Sequence, residues 1–312
     1  MIESIGRLPE VGASDSSRYL TRSCVIEEKN RLRLCRQDSS GEYRAARTNP
    51  EKGKAFESIQ SCLEDEARLE VVLEEQYLPI HSSGQFINPR CLFLSPLFRV
   101  RSSAVPREKE ISFTLWEVAG KERLEYVGPE LRQSDALVFM ALLNMLRDLK
   151  VGVTASFHPD EMCRALYGRY DGPARKKLRE TIYRLQRALL KFKDHSVQLV
   201  LKFLYPSKGV WSVALDESIV RVFKYSDTVW LNLGTRLQLS EGLATWLYGY
   251  VESQSRLIPT KLSDLHKLCG SEANEVVFQK KMRRALADLS AHGVIQKEWG
   301  MRAGVLRWAK AV

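Results

Sequence analysis

The sequence predicts an α+β protein in which one arrangement of helices and strands occurs twice. Residues 172–192 read as an amphipathic helix rich in Lys and Arg, and residues 274–293 repeat that design further along the chain. A short helix that ends at Gly168 or Gly270 precedes each of them, and alternating, β-rich sequence follows each. Helix, turn, basic helix and hairpin is the order of a winged-helix module. The sequence therefore predicts two tandem winged-helix domains with a partly disordered N-terminal extension.

Length and composition restrict the class of protein. The 312 residues suffice for two domains plus an extension, and a hydrophobic content of 44% suits globular cores. The chain has no apolar run of about 18 residues, which a membrane span needs, and its first residues lack the apolar segment of a secretory signal. Six cysteines without C-x-x-C spacing favour reduced thiols over a disulfide framework or a zinc site. These features predict a cytoplasmic protein, and the net charge of +10 favours an anionic partner.

Residues 1–90 are predicted to form an N-terminal arm and a helix that are partly flexible. Residues 1–55 are rich in Ser, Arg, Glu and Gly and lack sustained apolar periodicity, which favours a mobile arm. For residues 24–34 within this segment, the sequence is compatible with either a short strand or a short helix. Residues 56–78 carry apolar side chains near one helical face between Glu-rich flanks, so a helix is predicted there.

The first winged-helix domain is predicted over residues 91–233. Residues 111–118 alternate apolar and polar side chains, and residues 123–132 follow as the second strand of a hairpin after a turn at residues 119–121. Ser134 is the predicted N-cap of the strongly apolar helix that comes next.

A further helix of this domain is predicted to open at His158. A proline follows at the first helical position, and Asp160 and Glu161 complement the positive end of the helix dipole. This helix ends at Gly168. After the first basic helix, residues 196–233 are β-rich and interrupted by Gly and Pro, which predicts a hairpin plus an additional strand.

The second winged-helix domain is predicted over residues 234–312 and follows the same order. Ser240 is the predicted cap of its first helix, and residues 261–270 form the short helix before the second basic helix. Residues 300–304 are predicted to turn between two strands and so to form the wing. The two copies differ in spacing, which divergence after a duplication would explain.

Both basic helices are predicted to pack one face on a core and to turn the other toward DNA, where Arg can pair with guanine and Tyr or Arg can reach phosphate oxygens. The predicted core positions are Leu178, Ile182, Leu185, Leu189 and Phe192 in the first helix, and Phe278, Met282, Ala285 and Leu289 in the second. The predicted DNA contacts are Arg175, Lys176, Arg179, Tyr183, Arg184 and Arg187 on the first helix, and Lys280, Lys281, Arg283 and Arg284 on the second.

Three further cations are predicted to contact phosphates: Lys267 on the preceding helix, and Arg302 and Arg307 in the second wing. The alternative for each basic helix is an ordinary solvated amphipathic helix. However, eight cations oppose one acid between residues 172 and 193, whereas ordinary solvated faces mix charges of both signs. A membrane-surface or calmodulin-binding helix is another alternative, although a wing hairpin has no purpose there.

No catalytic motif is present in the sequence. The chain has no G-x-x-x-x-G-K-[ST] phosphate loop, no G-x-S-x-G elbow and no H-E-x-x-H motif. Its five histidines are isolated, and its carboxylates form no spaced constellation. The sequence thus predicts a binding protein that is not an enzyme and that uses no cofactor and no metal.

Scattered blocks of residues carry a resemblance to a known family. In the first predicted domain the blocks are Leu97-Phe98, residues 105–108, residues 126–132, Asp135, Val138, Glu161, Cys163, residues 166–168 and residues 184–186. In the second they are Leu239-Ser240, Ala244, Tyr250, Leu262, Leu265 and residues 268–271. By their order and spacing over residues 92–310, the chain resembles plasmid replication initiators of the TrfA type, within the wider group of tandem winged-helix initiators that includes RepE.

The resemblance implies a bacterial, plasmid-associated initiator that binds direct repeats (iterons) in double-stranded origin DNA as a monomer. It implies opening of a neighbouring A·T-rich segment, contact with its single strand, and recruitment of the host replicative helicase, often with DnaA. It also implies a monomer–dimer equilibrium through the first domain, plasmid copy control and a contact with the host sliding clamp. By analogy, the second basic helix is the main major-groove reader.

Two points remain open at the level of sequence. The clamp-binding pentapeptide of the family is not matched, and residues 76–80, which lie in about the right place, could instead be an ordinary junction between helix and loop. The alternative function is a winged-helix transcription repressor, which could also be autoregulatory. A DNA-processing enzyme with an unrecognised site is a further alternative.

Overall fold

The computed structural model describes residues 22–46, 48–79, 81–118 and 122–311. Helices and strands are numbered in chain order. All six cysteines are free thiols. Within these ranges, no helix combines the length and the apolar character that crossing a bilayer requires.

Two antiparallel helices come first, α1 (Arg22–Ala45) and α2 (Asn49–Gln76). The Thr48 hydroxyl caps α2 by accepting a hydrogen bond from the Glu51 N–H at 3.4 Å. The prediction of a mobile arm is wrong for α1, and residues 1–21 lie outside the described part. Because α1 buries few apolar side chains and is held on α2 largely by ion pairs, its sequence shows little periodicity. The predicted helix at residues 56–78 is confirmed up to Gln76, where the longer α2 ends.

Six short elements precede the first repeated unit: β1 (Gln85–Pro89), α3 (Arg90–Phe93), β2 (Phe98–Arg99), β3 (Ile111–Val118), β4 (Glu122–Gly128) and β5 (Leu131–Arg132). The predicted hairpin of β3 and β4 is confirmed, with Ile111 opposite Gly128. Its turn at residues 119–121 lies outside the described part. The second strand was predicted to continue to Arg132, but it ends at Gly128 because the backbone of β5 pairs in parallel with β2.

One order of elements then occurs twice. The first copy comprises α4 (Gln133–Met145), β6 (Ala155–Phe157), α5 (Pro159–Tyr167), α6 (Gly172–Gln186), β7 (Leu189–Lys191), β8 (Ser196–Gln198), β9 (Lys202–Leu204) and β10 (Trp211–Ala214). The connection comprises α7 (Ile219–Tyr225), β11 (Thr228–Asn232) and α8 (Leu233–Gln238). The second copy comprises α9 (Leu243–Glu252), β12 (Thr260–Lys261), α10 (Leu262–Leu268), α11 (Glu275–Ala291), β13 (Gly300–Arg302) and β14 (Val305–Arg307).

The sheets of the two copies have the same topology. Their strand orders are β6–β10–β9 and β12–β14–β13, and all pairings in them are antiparallel. The first copy differs by the insertion of β7 and β8, which extend the preceding hairpin into the sheet β3–β4–β7–β8. In addition, β11 pairs with β1, so the connection between the copies packs against the first strand of the described chain.

The helix caps are partly as predicted. At α5, His158 is the N-cap and Gly168 ends the helix in the left-handed region, which confirms the prediction. Ser134, however, lies inside α4, because the Asp135 carboxylate accepts the N–H of Arg132 at 2.7 Å and starts the helix earlier. Ser240 does not cap α9, which begins at Leu243 after a positive-φ glycine.

Two further segments differ from their predictions. The first basic helix ends at Gln186, not at residue 192, because Leu189 to Lys191 pair with β4 and form β7. Residues 219–225 lie within the stretch predicted to be β-rich, but they form α7, whose buried Ile219, Val220, Val222 and Phe223 recur at helical spacing. Their β-branched side chains favour strands locally, and burial of one helical face overrides that preference.

The two copies share one continuous hydrophobic core. Gly249 of α9 lies so close to the Phe93 ring that an added Cβ would come within 2.6 Å of ring carbons. Thr245 and Gln133 also hydrogen bond between the copies at 3.2 Å. The predicted division at residues 90/91 and 233/234 falls within α3 and at the start of α8, and it remains a prediction.

Candidate nucleic-acid interface

The two basic helices flank one cleft of about 850 Å³. Lys177, Glu180 and Arg184 of α6 line it from one copy, and Lys281, Arg284 and Asp288 of α11 line it from the other. Residues at positions i, i+3 and i+7 share one side of a helix, so each helix presents a single side to the cleft. Both basic helices therefore border the same cleft.

Helix α6 is held by the core as its sequence predicts. Leu178, Ile182 and Leu185 are wholly buried, which confirms three of the five predicted core positions. Leu189 and Phe192 lie beyond the end of the helix and do not belong to its buried side. The Asp171 carboxylate caps the helix by accepting the Ala174 N–H at 2.7 Å.

Aromatic side chains in β10 and just after β9 hold the outer cations of α6. The Arg175 guanidinium lies 5.3 Å from the centroid of the Trp211 ring, and that of Arg179 lies 5.7 Å from that of Tyr205. The hydroxyls of Tyr183 and Tyr205 are 2.9 Å apart. These contacts restrict the side chains while leaving them reachable, so the cations are oriented before any partner binds.

Arg184 occupies a different position from its prediction. Its guanidinium donates two hydrogen bonds, at 3.0 and 2.7 Å, to one oxygen of the wholly buried Asp135 of α4. Arg107 donates to the other carboxylate oxygen at 2.6 Å. The prediction that Arg184 turns outward is wrong, because a buried carboxylate must be paired with cations. Arg184 ties α6 to α4 at the edge of the cleft.

A second set of ion pairs beside this carboxylate reaches the second copy. The wholly buried Glu130 accepts from Arg132 at 2.5 Å and from Arg101 at 3.0 Å. Arg101 also pairs at 2.6 Å with Glu272, in the loop before α11. Burial acts to raise the pKa of Glu130, but hydrogen bonds from Arg132 and from the Glu108 N–H outweigh it and leave that pKa below its ordinary value.

Sequence reasoning did not identify this network as part of the cleft. Its members Arg107, Glu130, Arg132, Asp135 and Arg184 all lie in the blocks that carry the family resemblance. Their pairing could not be read from spacing, because the partners come from separate segments of the chain. Lys177 was missed as well, although it lines the cleft and lies 4.7 Å from the centroid of the Tyr167 ring.

Helix α11 follows its prediction closely. Its buried side consists of Phe278, Met282, Ala285 and Leu289, with Leu286 between them. It packs on α9 of its own copy. The Asn274 side chain caps the helix by accepting the Val277 N–H at 2.9 Å. The cap therefore pairs a backbone N–H at an end of the helix that is exposed to solvent.

The cations of the second copy are exposed and uncommitted. In the described part of the chain, they form no ion pair and no side-chain hydrogen bond with one another or with other residues. These side chains are Lys267, Lys280, Lys281, Arg283, Arg284, Arg302 and Arg307. The two wing arginines flank a tight turn at Ala303 and Gly304, both with positive φ. In the first copy, Arg187 is exposed and Lys176 makes only a surface pair with Glu180 at 3.9 Å.

In the ranges that the structure covers, no group of three or more His, Cys, Asp or Glu side chains is placed to hold a metal ion. Residues 76–79 form a junction between helix and loop, as the alternative interpretation predicted. Tyr77 and Leu78 are buried there, and Ile80 lies outside the described part.

Two known proteins are similar to this chain, one in sequence and one in fold. Plasmid replication initiator protein TrfA of Escherichia coli is 26% identical over 220 residues, which cover 66% of this chain and 56% of that protein. The chain thus matches little more than half the length of this relative. A crystal structure of domains 2 and 3 of RctB superposes with a TM-score of 0.51 at 13% identity, covering 72% of this chain and 99% of that one. This likeness concerns the fold.

The family model described as TrfA protein matches residues 79–305. The match begins after α2, ends at the first residue of β14 and includes both basic helices. The resemblance carried by the sequence blocks is thereby confirmed: the chain belongs to the TrfA family.

Proposed function

We propose that this chain is a plasmid replication initiator that binds double-stranded origin DNA through two tandem winged-helix modules. The observation that carries the proposal is the pair of basic helices that border one cleft, each within the same order of helices and strands. Family membership and the role of the E. coli relative, a plasmid replication initiator, support initiation rather than another use of DNA binding. The topology of the two sheets supports the winged-helix assignment.

The two modules make different contacts in this proposal. Helix α11 reads bases with Lys280, Lys281, Arg283 and Arg284, because these side chains are exposed and have no competing partner among the described residues. Lys267, Arg302 and Arg307 neutralise phosphates beside it. In the first module Arg175, Lys176, Arg179, Tyr183 and Arg187 contact the backbone. Arg184 is left out because Asp135 already engages it.

The initiator binds iterons as a monomer, opens the adjacent A·T-rich segment and retains its single strand, in equilibrium with a dimer. It acts in the bacterial cytoplasm, controls plasmid copy number and recruits the replicative helicase with DnaA. These partners follow from the family resemblance. A clamp contact at residues 76–80 has no support in the structure, because Tyr77 and Leu78 are buried.

A footprint on supercoiled DNA that carries the plasmid's own origin tests the function. We expect protection of repeated sites by the full chain, together with permanganate reactivity of thymines in the neighbouring A·T-rich segment when DnaA is present. Protection without any thymine reactivity would support the alternative, a winged-helix repressor. Nicked plasmid in the presence of a divalent metal would instead indicate a DNA-processing enzyme.

A further inference from the structure

Two exposed valines occupy the first turn of α11. Val276 is 79% exposed and Val277 is 41% exposed, at the second and third positions of the helix. Valine is a weak helix former, and Val276 buries little surface within the chain. A single exposed apolar residue is ordinary on a protein surface. Two adjacent exposed valines in the first turn of a basic helix are less common, and their position on the helix indicates what they can contact.

The valines continue the two cationic rows of α11. Val276 is followed on one side of the helix by Lys280 and Arg283, at i+4 and i+7. Val277 is followed in the same way by Lys281 and Arg284. The cap from Asn274 fixes the backbone of this turn. A partner that lies along the cations therefore also meets the two valines.

The chemistry of the major groove says what the valines can recognise. The N-terminal residues of a recognition helix contact base edges there. A valine side chain offers neither donor nor acceptor, and the apolar group on those edges is the 5-methyl of thymine. Cytosine would place an unpaired amino group against the valine, which disfavours it.

We propose that Val276 and Val277 are specificity-determining residues that recognise thymine methyl groups in the DNA site. This inference rests on the proposed function, in which α11 enters the major groove. The first module has no equivalent, because the second and third residues of α6 are Pro173 and the buried Ala174. Methyl recognition is therefore confined to the part of the site that α11 covers.

Removal of single methyl groups from DNA tests the inference. Sites are first selected with the full chain from a random double-stranded library. Each thymine of a selected site is then replaced by deoxyuridine, one at a time, and affinity is measured by fluorescence anisotropy. We expect one or two positions at which the unsubstituted protein loses roughly four-fold in affinity, the value of one buried methylene-sized group.

The same measurement on variants assigns the effect to the valines. For Val276→Ala or Val277→Ala we expect the sensitive position of that valine to become insensitive to deoxyuridine. Val71→Ala is the matched control, since Val71 is an exposed helical valine of α2, and it should retain full sensitivity. Circular dichroism checks that each variant stays folded.

The outcomes separate the inference from the function on which it rests. Selection of a defined site with no deoxyuridine-sensitive position would overturn the valine proposal and leave DNA recognition by α11 intact. Sensitivity that persists in both valine variants would also overturn it. Failure of the library to yield any preferred site would remove both the proposed base reading and this inference.

Discussion

Asp135 is the residue on which the position of α6 depends most directly. It is wholly buried, and each of its carboxylate oxygens accepts hydrogen bonds from a different arginine, Arg184 or Arg107. The same carboxylate caps α4 through the Arg132 N–H. One side chain therefore starts a helix and joins a second helix and a loop to it.

Asp135→Asn should lower the free energy of unfolding by about 3 kcal/mol, at the lower end of the range for breaking a buried ion pair. The amide removes the charge that both arginines require, and those arginines retain some access to water. Urea denaturation measures the change. Asp65→Asn is the control, because Asp65 makes only an exposed pair with Arg68 and should change stability little. Equal stability of both variants would contradict a central role for Asp135.

Arg283 and Arg284 are the residues that should separate base reading from phosphate binding. Arg283→Ala or Arg284→Ala should weaken binding to the selected site by about 1–3 kcal/mol if the side chain contacts a base. Binding to random DNA should then change much less, because a base contact is absent there. Titrations against both DNAs measure the difference. An equal loss on both would reassign the arginine to a phosphate contact.

At the scale of elements, α5, α6 and α11 could be predicted because their signals are local. Each combines a capping residue with a stripe of apolar side chains, such as Leu178, Ile182 and Leu185. Helix α7 and the end of α6 could not be predicted in this way. Pairing with β4 terminates α6, and packing against the core selects a helix at Ile219 to Phe223. Those decisions involve residues far away along the chain.

In the candidate site, too, residues with local signals could be predicted and residues with distant partners could not. The exposed cations of α11 were predictable, since they lie opposite a clear buried stripe of their own helix. The engagement of Arg184 was not, because its partner Asp135 belongs to another helix and nothing in the local sequence marks the pair. Tyr183, next to Arg184 in the sequence, is exposed instead, and its hydroxyl lies 2.9 Å from that of Tyr205.

The close contact between α11 and α9 can be tested at Ala285. This residue is buried, so Ala285→Leu should overpack the contact and lower the free energy of unfolding by about 1–3 kcal/mol. The variant should keep its preference among DNA sequences, because position 285 faces the core. Ala287→Leu is the control on the same helix, where the side chain is exposed. Thermal denaturation that gives the two variants equal stability would argue against the packing.

At the scale of the whole molecule, the shared core makes the two modules one unit. The hydrogen bond from Thr245 to Gln133 joins the two copies directly. Gly249 and Glu272 of the second copy also contact Phe93 and Arg101, which lie in the segment before the first copy. Since α6 and α11 flank one cleft, their separation and relative direction are set by this packing. A DNA site for both helices must therefore have fixed spacing.

Insertion of about five base pairs between the two halves of the site should abolish joint binding, because it rotates one half by about half a helical turn. We expect a loss of roughly 100-fold or more, the contribution of a second linked contact. Insertion of about ten base pairs should not restore binding, since it increases the distance that the packed modules must span. Gel-shift titration of the spacing series measures this, and recovery with the longer insertion would indicate modules that move independently.

The pairing of β1 with β11 limits where the chain can be shortened. A fragment that begins after Pro89 would remove the strand that hydrogen bonds to Thr228–Asn232 and expose a row of free backbone N–H and C=O groups. Bare edges of this kind recruit strands from other molecules, so such a fragment should aggregate. Truncations intended to isolate the DNA-binding part should therefore retain Gln85, however dispensable the helices before it prove to be.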